Sequence, residues 1–228
     1  MWLVLCWVGN LYAQWNVRGM EDAMTAQKSV IPMNEHGRAI TQEDIKPTVL
    51  PDAYLTSSIA SALVDFKMPR FEDLPTVGLY RDQVIGIVEQ TLSPLGTCID
   101  GELLTPSMVN NYVKAGLIAA PVKKLYNREH VARLLVICIF KQVLSIQAIA
   151  TLFKIQRVSY MVDVAFDYVA VELENAVRSA FSIDATPQPD SATHVTRESL
   201  LVRNAVTAFA AKAYLLGYLH YIGYEGSE

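Results

Sequence analysis

Apolar residues recur at three- and four-residue spacing through most of the chain after residue 78, the period of an amphipathic helix. The pattern predicts helices over 79–92, 105–115, 128–143, 146–153, 160–181 and 197–222, with a shorter helical stretch at Tyr54–Phe66. In the first of these the stripe is Val84, Ile87, Val88 and Leu92. The interior of the third, Val131 to Val143, is apolar almost all round and must be covered by neighbours on several sides. No alternating run is long enough for a sheet, and there is no internal repeat. Residues 18–50 are polar and aperiodic and read as a flexible arm. Within Met68-Pro-Arg-Phe-Glu-Asp-Leu-Pro75 two prolines enforce an extended lead-in, and Asp184–Ser191 is a proline-punctuated linker between the last two helices. The expected class is all-α.

Local start and stop signals sharpen the middle of the chain. Thr105 followed by Pro106 is a capping hydroxyl with proline at the first helical position. Gly116 suits a left-handed cap, with Leu117 placed to fold back. Between them the faces divide cleanly: Val109, Tyr112 and Val113 on one side, Ser107, Asn110, Asn111 and Lys114 on the other. The polar set holds hydrogen-bonding groups and one cation but no carboxylate. Amides can bond adenine bidentately, and lysine serves guanine or phosphate. A solvated face is the ordinary alternative, but such faces favour glutamate and lysine over adjacent asparagines, which form helix poorly. Residues 118–126 then suggest two short extended pieces with Lys123 and Lys124 near the tip, a small β wing able to reach phosphate. Asn127 caps the next helix and Ser145 the one after it.

Charge strengthens this reading. The 228 residues carry a net charge of −4, but Thr105–Val158 holds eight basic residues and only Glu129 as an acid. That segment is +7 and the remainder −11. A basic island on an acidic chain is the electrostatic footprint of nucleic-acid binding, though basic runs are often only solvated faces. Three cysteines, Cys6, Cys98 and Cys138, form neither a metal spacing nor a disulfide framework, and a reducing cytoplasm fits them. Met1–Val17 is uncharged and includes Trp2-Leu-Val-Leu-Cys-Trp-Val8, too short to span a bilayer and without a basic n-region. A translation start at Met20 or Met24 is the preferred explanation, and a chain beginning at Met24 is expected to fold like the whole. No membrane association is expected.

The order of these features resembles a MerR-type winged helix-turn-helix, and more closely a domain-of-unknown-function family of uncharacterised bacterial proteins regarded as MerR-like regulators. The resemblance rests on Met68–Pro75, Leu79-Tyr-Arg-Asp-Gln-Val84, Leu104–Lys114, Lys124-Leu-Tyr-Asn-Arg-Glu-His130 and Leu144-Ser-Ile146. It implies a MerR-like winged helix-turn-helix over 79–156, after a leader (1–50) and a lead-in (51–78), and before a C-terminal helical dimerisation region (157–222). Two departures stand out. Asn110-Asn111-Tyr112 replaces the Arg-Tyr-Tyr usual in the recognition helix, and no metal-binding cysteines follow, so metal sensing is not implied.

The function expected from sequence is therefore a sequence-specific transcriptional regulator that binds double-stranded DNA. Its site residues are Thr105, Ser107, Asn110, Asn111 and Lys114 on the recognition helix, with Lys123, Lys124, Tyr126 and Arg128 on or beside the wing. A homodimer is expected through helices 160–181 and 197–222, whose apolar faces exceed what one pair can cover. An effector pocket lined by Tyr214, Tyr218 and Tyr221 is conceivable, but plain core packing is the stronger reading of those tyrosines. No cofactor or metal is implied, and any small-molecule effector is unspecified. The contending reading is a protein-interaction adaptor whose helix-turn-helix has lost DNA binding. Enzymatic readings rank third. There is no phosphate loop, nucleophile elbow or paired-histidine motif, and His36, His130, His194 and His220 lie in unlike contexts.

Overall fold

Residues His130 through Phe140 are all buried, and the helix that carries them, Arg128–Phe140, is the one around which its neighbours pack. The structure is a computed structural model that describes residues 47–182 and 188–223. In chain order the helices are α1 (Ser58–Val64), α2 (Arg81–Leu92), α3 (Pro106–Lys114), α4 (Arg128–Phe140), α5 (Ile146–Ser159), α6 (Val162–Phe181) and α7 (Arg197–Tyr221). Short 3-10 turns occupy Phe71–Asp73 and Ser93–Cys98. The chain divides at Thr48/Val49, and everything below belongs to the second unit. The leader, the arm through residue 46 and residues 183–187 of the linker lie outside the described residues.

The protein is all-α, and the helix starts follow from side-chain chemistry. Ser57, Thr105, Asn127, Ser145 and Thr196 each accept a hydrogen bond from a backbone N–H three residues on. Each of these satisfies an otherwise orphaned donor of the first turn, an effect of about 1 kcal/mol per cap. α4 packs against α2, α6 and α7, which explains an apolar sequence with no polar side. One apolar core runs from Tyr54 through Ala213, so the segments before and after residue 157 share it.

Two sequence expectations need correction. α5 runs to Ser159, well past the expected end at 153, while α4 stops at Phe140 rather than 143. The extra turns of α5 are held by a tertiary contact, the Arg157 guanidinium donating to Gly116 O at 3.2 Å, and by a local one, Gln156 Nε2 donating to Tyr160 O at 2.7 Å. The β wing is also smaller than expected. Among the described residues no strand forms, only the isolated antiparallel bridges Val122↔Leu125 and Leu79↔Tyr126. Pro121 cannot donate to a ladder, and Leu117 and Ile118 are drawn into the core, so little backbone is left to pair.

His130 ties α4 to the loop ahead of it. Asn127 N–H donates to Nδ1 at 3.0 Å, and Nε2, which then carries the proton, donates to Ala119 O at 3.1 Å. Burial pushes the imidazole below its ordinary 6.5, outweighing the carbonyls and Glu129, which pull the other way. The folded state therefore binds this proton less readily than the unfolded chain. The stability it contributes is complete above about pH 6.5 and is lost as pH falls through the lowered value. Thermal melts should show this acid-side loss, and His130→Gln should flatten it. A slope unchanged in the variant would rule the histidine out as its source.

Candidate nucleic-acid interface

The candidate interface is built on α3, whose mounting is rigid at both ends. At its start Thr105 Oγ1 accepts from Met108 N at 3.2 Å, and the Lys141 ammonium donates to the carbonyls of Glu102 and Leu103 at 2.7 Å each. Burial lowers the Lys141 pKa below its usual value, against the pull of Cys138 and Glu102. At its end Gly116 takes φ +70°, Leu117 N donates to Tyr112 O and Gly116 N donates to Val113 O, both at 3.0 Å. This pair of bonds is a Schellman cap, and Leu117 folds back into the core as the sequence suggests.

Mounted this way, α3 buries Val109 and Tyr112 and presents Ser107, Asn110, Asn111 and Lys114 to solvent. None of these four side chains hydrogen-bonds to any described residue, so the amides keep their full donor and acceptor capacity. Thr105 is half-buried, its hydroxyl engaged as the cap.

Lys123 and Lys124 form the tip of a two-residue hairpin closed by Leu125 N donating to Val122 O at 2.9 Å. Both lie in the left-handed region, at φ 51° and 66°, as a type I′ turn demands. That turn favours Asn-Gly, and lysines there carry a backbone cost of about 1 kcal/mol or more each. The base of the hairpin is fastened to the start of α2, with Leu79 N donating to Tyr126 O at 2.9 Å and Tyr126 N to Leu79 O at 2.8 Å.

Two expected site residues take other places. Tyr126 is only 5% exposed and meets His130 edge to face at 5.3 Å, so it belongs to the core rather than to a surface. Arg128 is half-buried and donates to the carbonyls of Leu74 and Glu72, with its guanidinium over the Phe71 ring. It fastens the lead-in to α4. Of the eight basic residues in the island, Arg133 and Lys141 are also held internally, the former by Glu129 at 2.9 Å. The exposed remainder is Lys114, Lys123, Lys124, Lys154 and Arg157. Among the described residues none of the five forms an ion pair. Arg157 is the residue that sequence reasoning left out of the site: its bond to Gly116 O brings an exposed cation to the end of α3 from forty-one positions away. Its weak signal was membership of the basic island.

Among the described residues no cluster of histidine, cysteine and carboxylate side chains could hold a metal ion, and no helix is long and apolar enough to cross a membrane. No curated protein and no solved structure matches the chain. Residues 69–169, which run from the lead-in through α2, α3, the hairpin, α4 and α5 into α6, match the family model described as Domain of unknown function (DUF1836), and over that span the chain is similar to this uncharacterised family.

Proposed function

We propose that this protein is a bacterial, cytoplasmic transcriptional regulator of MerR-like winged helix-turn-helix type, and not an enzyme. In this reading α3 enters the major groove and the Lys123-Lys124 hairpin is a minimal wing on the flanking backbone. The observation that carries it is the outward face of α3: two asparagines, a serine and a lysine with no side-chain partner among the described residues, on a helix capped at both ends. The left-handed lysines support it, because a local backbone cost retained at an exposed cationic tip is the pattern of a functional contact.

Binding to duplex DNA tests the proposal. Asn110→Ala or Asn111→Ala should cost about 1–3 kcal/mol on the selected operator and little on random duplex. Lys123→Asn with Lys124→Gly should weaken both alike and flatten the slope of log affinity against log salt by nearly two units, about 0.9 per phosphate contact. The same double variant should melt higher than wild type, because Asn-Gly fits the turn. Absence of duplex binding by the wild-type protein at low salt would remove the proposal.

A homodimer accompanies this reading, since helix-turn-helix proteins read two half-sites symmetrically. Its support is an exposed stripe along α7 and its cap, in which Leu200, Thr207, Ala211, Leu215 and Ile222 recur at spacings of four and seven. Leu215 is 62% exposed, whereas Leu216, which hydrophobic spacing alone assigns to the apolar face, is half-buried. Light scattering should report twice the chain mass, and Leu215→Asp should halve it without loss of helical signal. A wild-type monomer at high concentration contradicts the dimer.

A further inference from the structure

A cavity of about 620 Å³ lies between α4, α5, α6 and the start of α7, outside the candidate interface. Its lining is predominantly apolar, with Val136, Phe140, Phe153, Phe166 and Val169 buried and Tyr160, Val164 and Leu201 exposed. That volume falls within the usual range for small-molecule sites. The tyrosines of α7 are not its walls. Tyr214, Tyr218 and Tyr221 instead gather round the buried Tyr54, at ring distances of 5.2–5.6 Å, with Tyr214 half-buried and the other two exposed.

One charged lining group stands out. Arg133 is 7% exposed, with its guanidinium 5.1 Å from the Phe153 ring centre. Nε donates to Glu129 at 2.9 Å, but Nη2 has only a long 3.4 Å bond to Gln156 Oε1, and Nη1 has no partner among the described residues. Guanidinium forks bind carboxylates through two parallel N–H donors, and here the Nη1–Nη2 edge is almost uncommitted. The other lining acids are already engaged: Asp167 Oδ1 accepts from Phe71 N at 2.7 Å, and Glu198 pairs with Arg197 at 2.6 Å.

We propose that this cavity binds a small amphipathic monocarboxylate, its chain against the apolar walls and its carboxylate on the free edge of Arg133. The walls alone would accept any apolar molecule. The Arg133 guanidinium, paired with Glu129 through Nε, selects one that brings a carboxylate, because its remaining Nη1–Nη2 edge matches two carboxylate oxygens. A route to α3 exists as well. Gln156 touches Arg133, and the next residue, Arg157, bonds the carbonyl of Gly116 at the end of α3. That consequence for DNA rests on the proposed function, whereas ligand binding does not.

Isothermal titration of the full chain with decanoate, and separately with 1-decanol, tests the site. Decanoate should bind saturably at one per chain, at least tenfold more tightly than decanol. Arg133→Met should bring decanoate down to the level of decanol. Ala165→Trp, which places bulk in the cavity and leaves the Arg133 side chain in the sequence, should abolish both while the fold, followed by circular dichroism, is retained. Should Arg133→Met fail to fold, the acid-to-alcohol ratio in the wild-type protein decides alone. Equal affinity for the two probes, binding undiminished in Ala165→Trp, or no saturable decanoate binding would each overturn the proposal. The last result, with a dimer that Val164→Asp dissociates, would assign the groove to a second copy of the chain.

Discussion

Glu174→Ala is expected to destabilise the protein by about 3 kcal/mol, a fall in melting temperature of about 6–12 °C for a unit of this size. Glu174 is 6% exposed on α6 and is the anchor of the lead-in. It accepts from Arg70 Nη1 at 2.8 Å, from Met68 N at 3.1 Å and from Lys67 Nζ at 3.2 Å. Alanine would strand a buried backbone donor and release the strap that carries Met68 and Phe71. Arg70 and Lys67 keep partial access to water, which tempers the loss. Burial works against the charged carboxylate, but the bonds from Arg70, Met68 and Lys67 prevail and hold its pKa below the usual 4.5. The contribution is therefore complete above about pH 4.5 and disappears as pH falls through the lowered value. Glu174→Gln, which keeps an acceptor for Met68 N, should lose less and respond less to acid. Denaturant melts of the three proteins at pH 7 and pH 4 would measure this, and equal stability of wild type and Glu174→Ala would contradict the anchoring role.

Gly217→Ala should lower stability by about 2–3 kcal/mol, the reverse of what helix propensity alone forecasts. A glycine inside a helix normally costs about 1 kcal/mol relative to alanine, so the substitution ought to help. Here a Cβ would collide with the Tyr54 hydroxyl and lie 3.1 Å from Cys98 Sγ. Tyr54 cannot retreat easily, because Phe181, Tyr214, Tyr218 and Tyr221 surround its ring. Its hydroxyl is buried without a hydrogen-bond partner among the described residues, and burial drives its pKa well above the ordinary value of 10. Tyr54→Phe should accordingly stabilise the protein by about 1 kcal/mol, by removing a desolvated polar atom. The double variant Tyr54→Phe, Gly217→Ala should recover much of the loss. Additive effects in that cycle would show that the two residues do not meet.

Sequence by itself determined the helical class, the order of the helices and most of their first residues. These are properties of short segments: Thr105-Pro106, Asn127, Ser145 and Thr196 begin helices through bonds reaching three residues, and Gly116 ends one through a left-handed backbone. The outward set on α3 was legible for the same reason, since faces follow from a period of 3.6 residues. Tertiary structure decided which polar groups stay free. Arg128 and Tyr126 read as surface residues of a basic segment, yet carbonyls fifty-four and fifty-six positions away claim the first and the core claims the second. Asp167 and Glu174 on α6 receive the backbone donors of Phe71 and Met68 from ninety-six and one hundred and six positions away. Arg157 gained its place beside α3, and Gly217 its intolerance of a side chain, in the same way. Hydrogen bonds and close packing act over a few ångströms between residues far apart in the chain, and local sequence carries no record of which distant groups will meet.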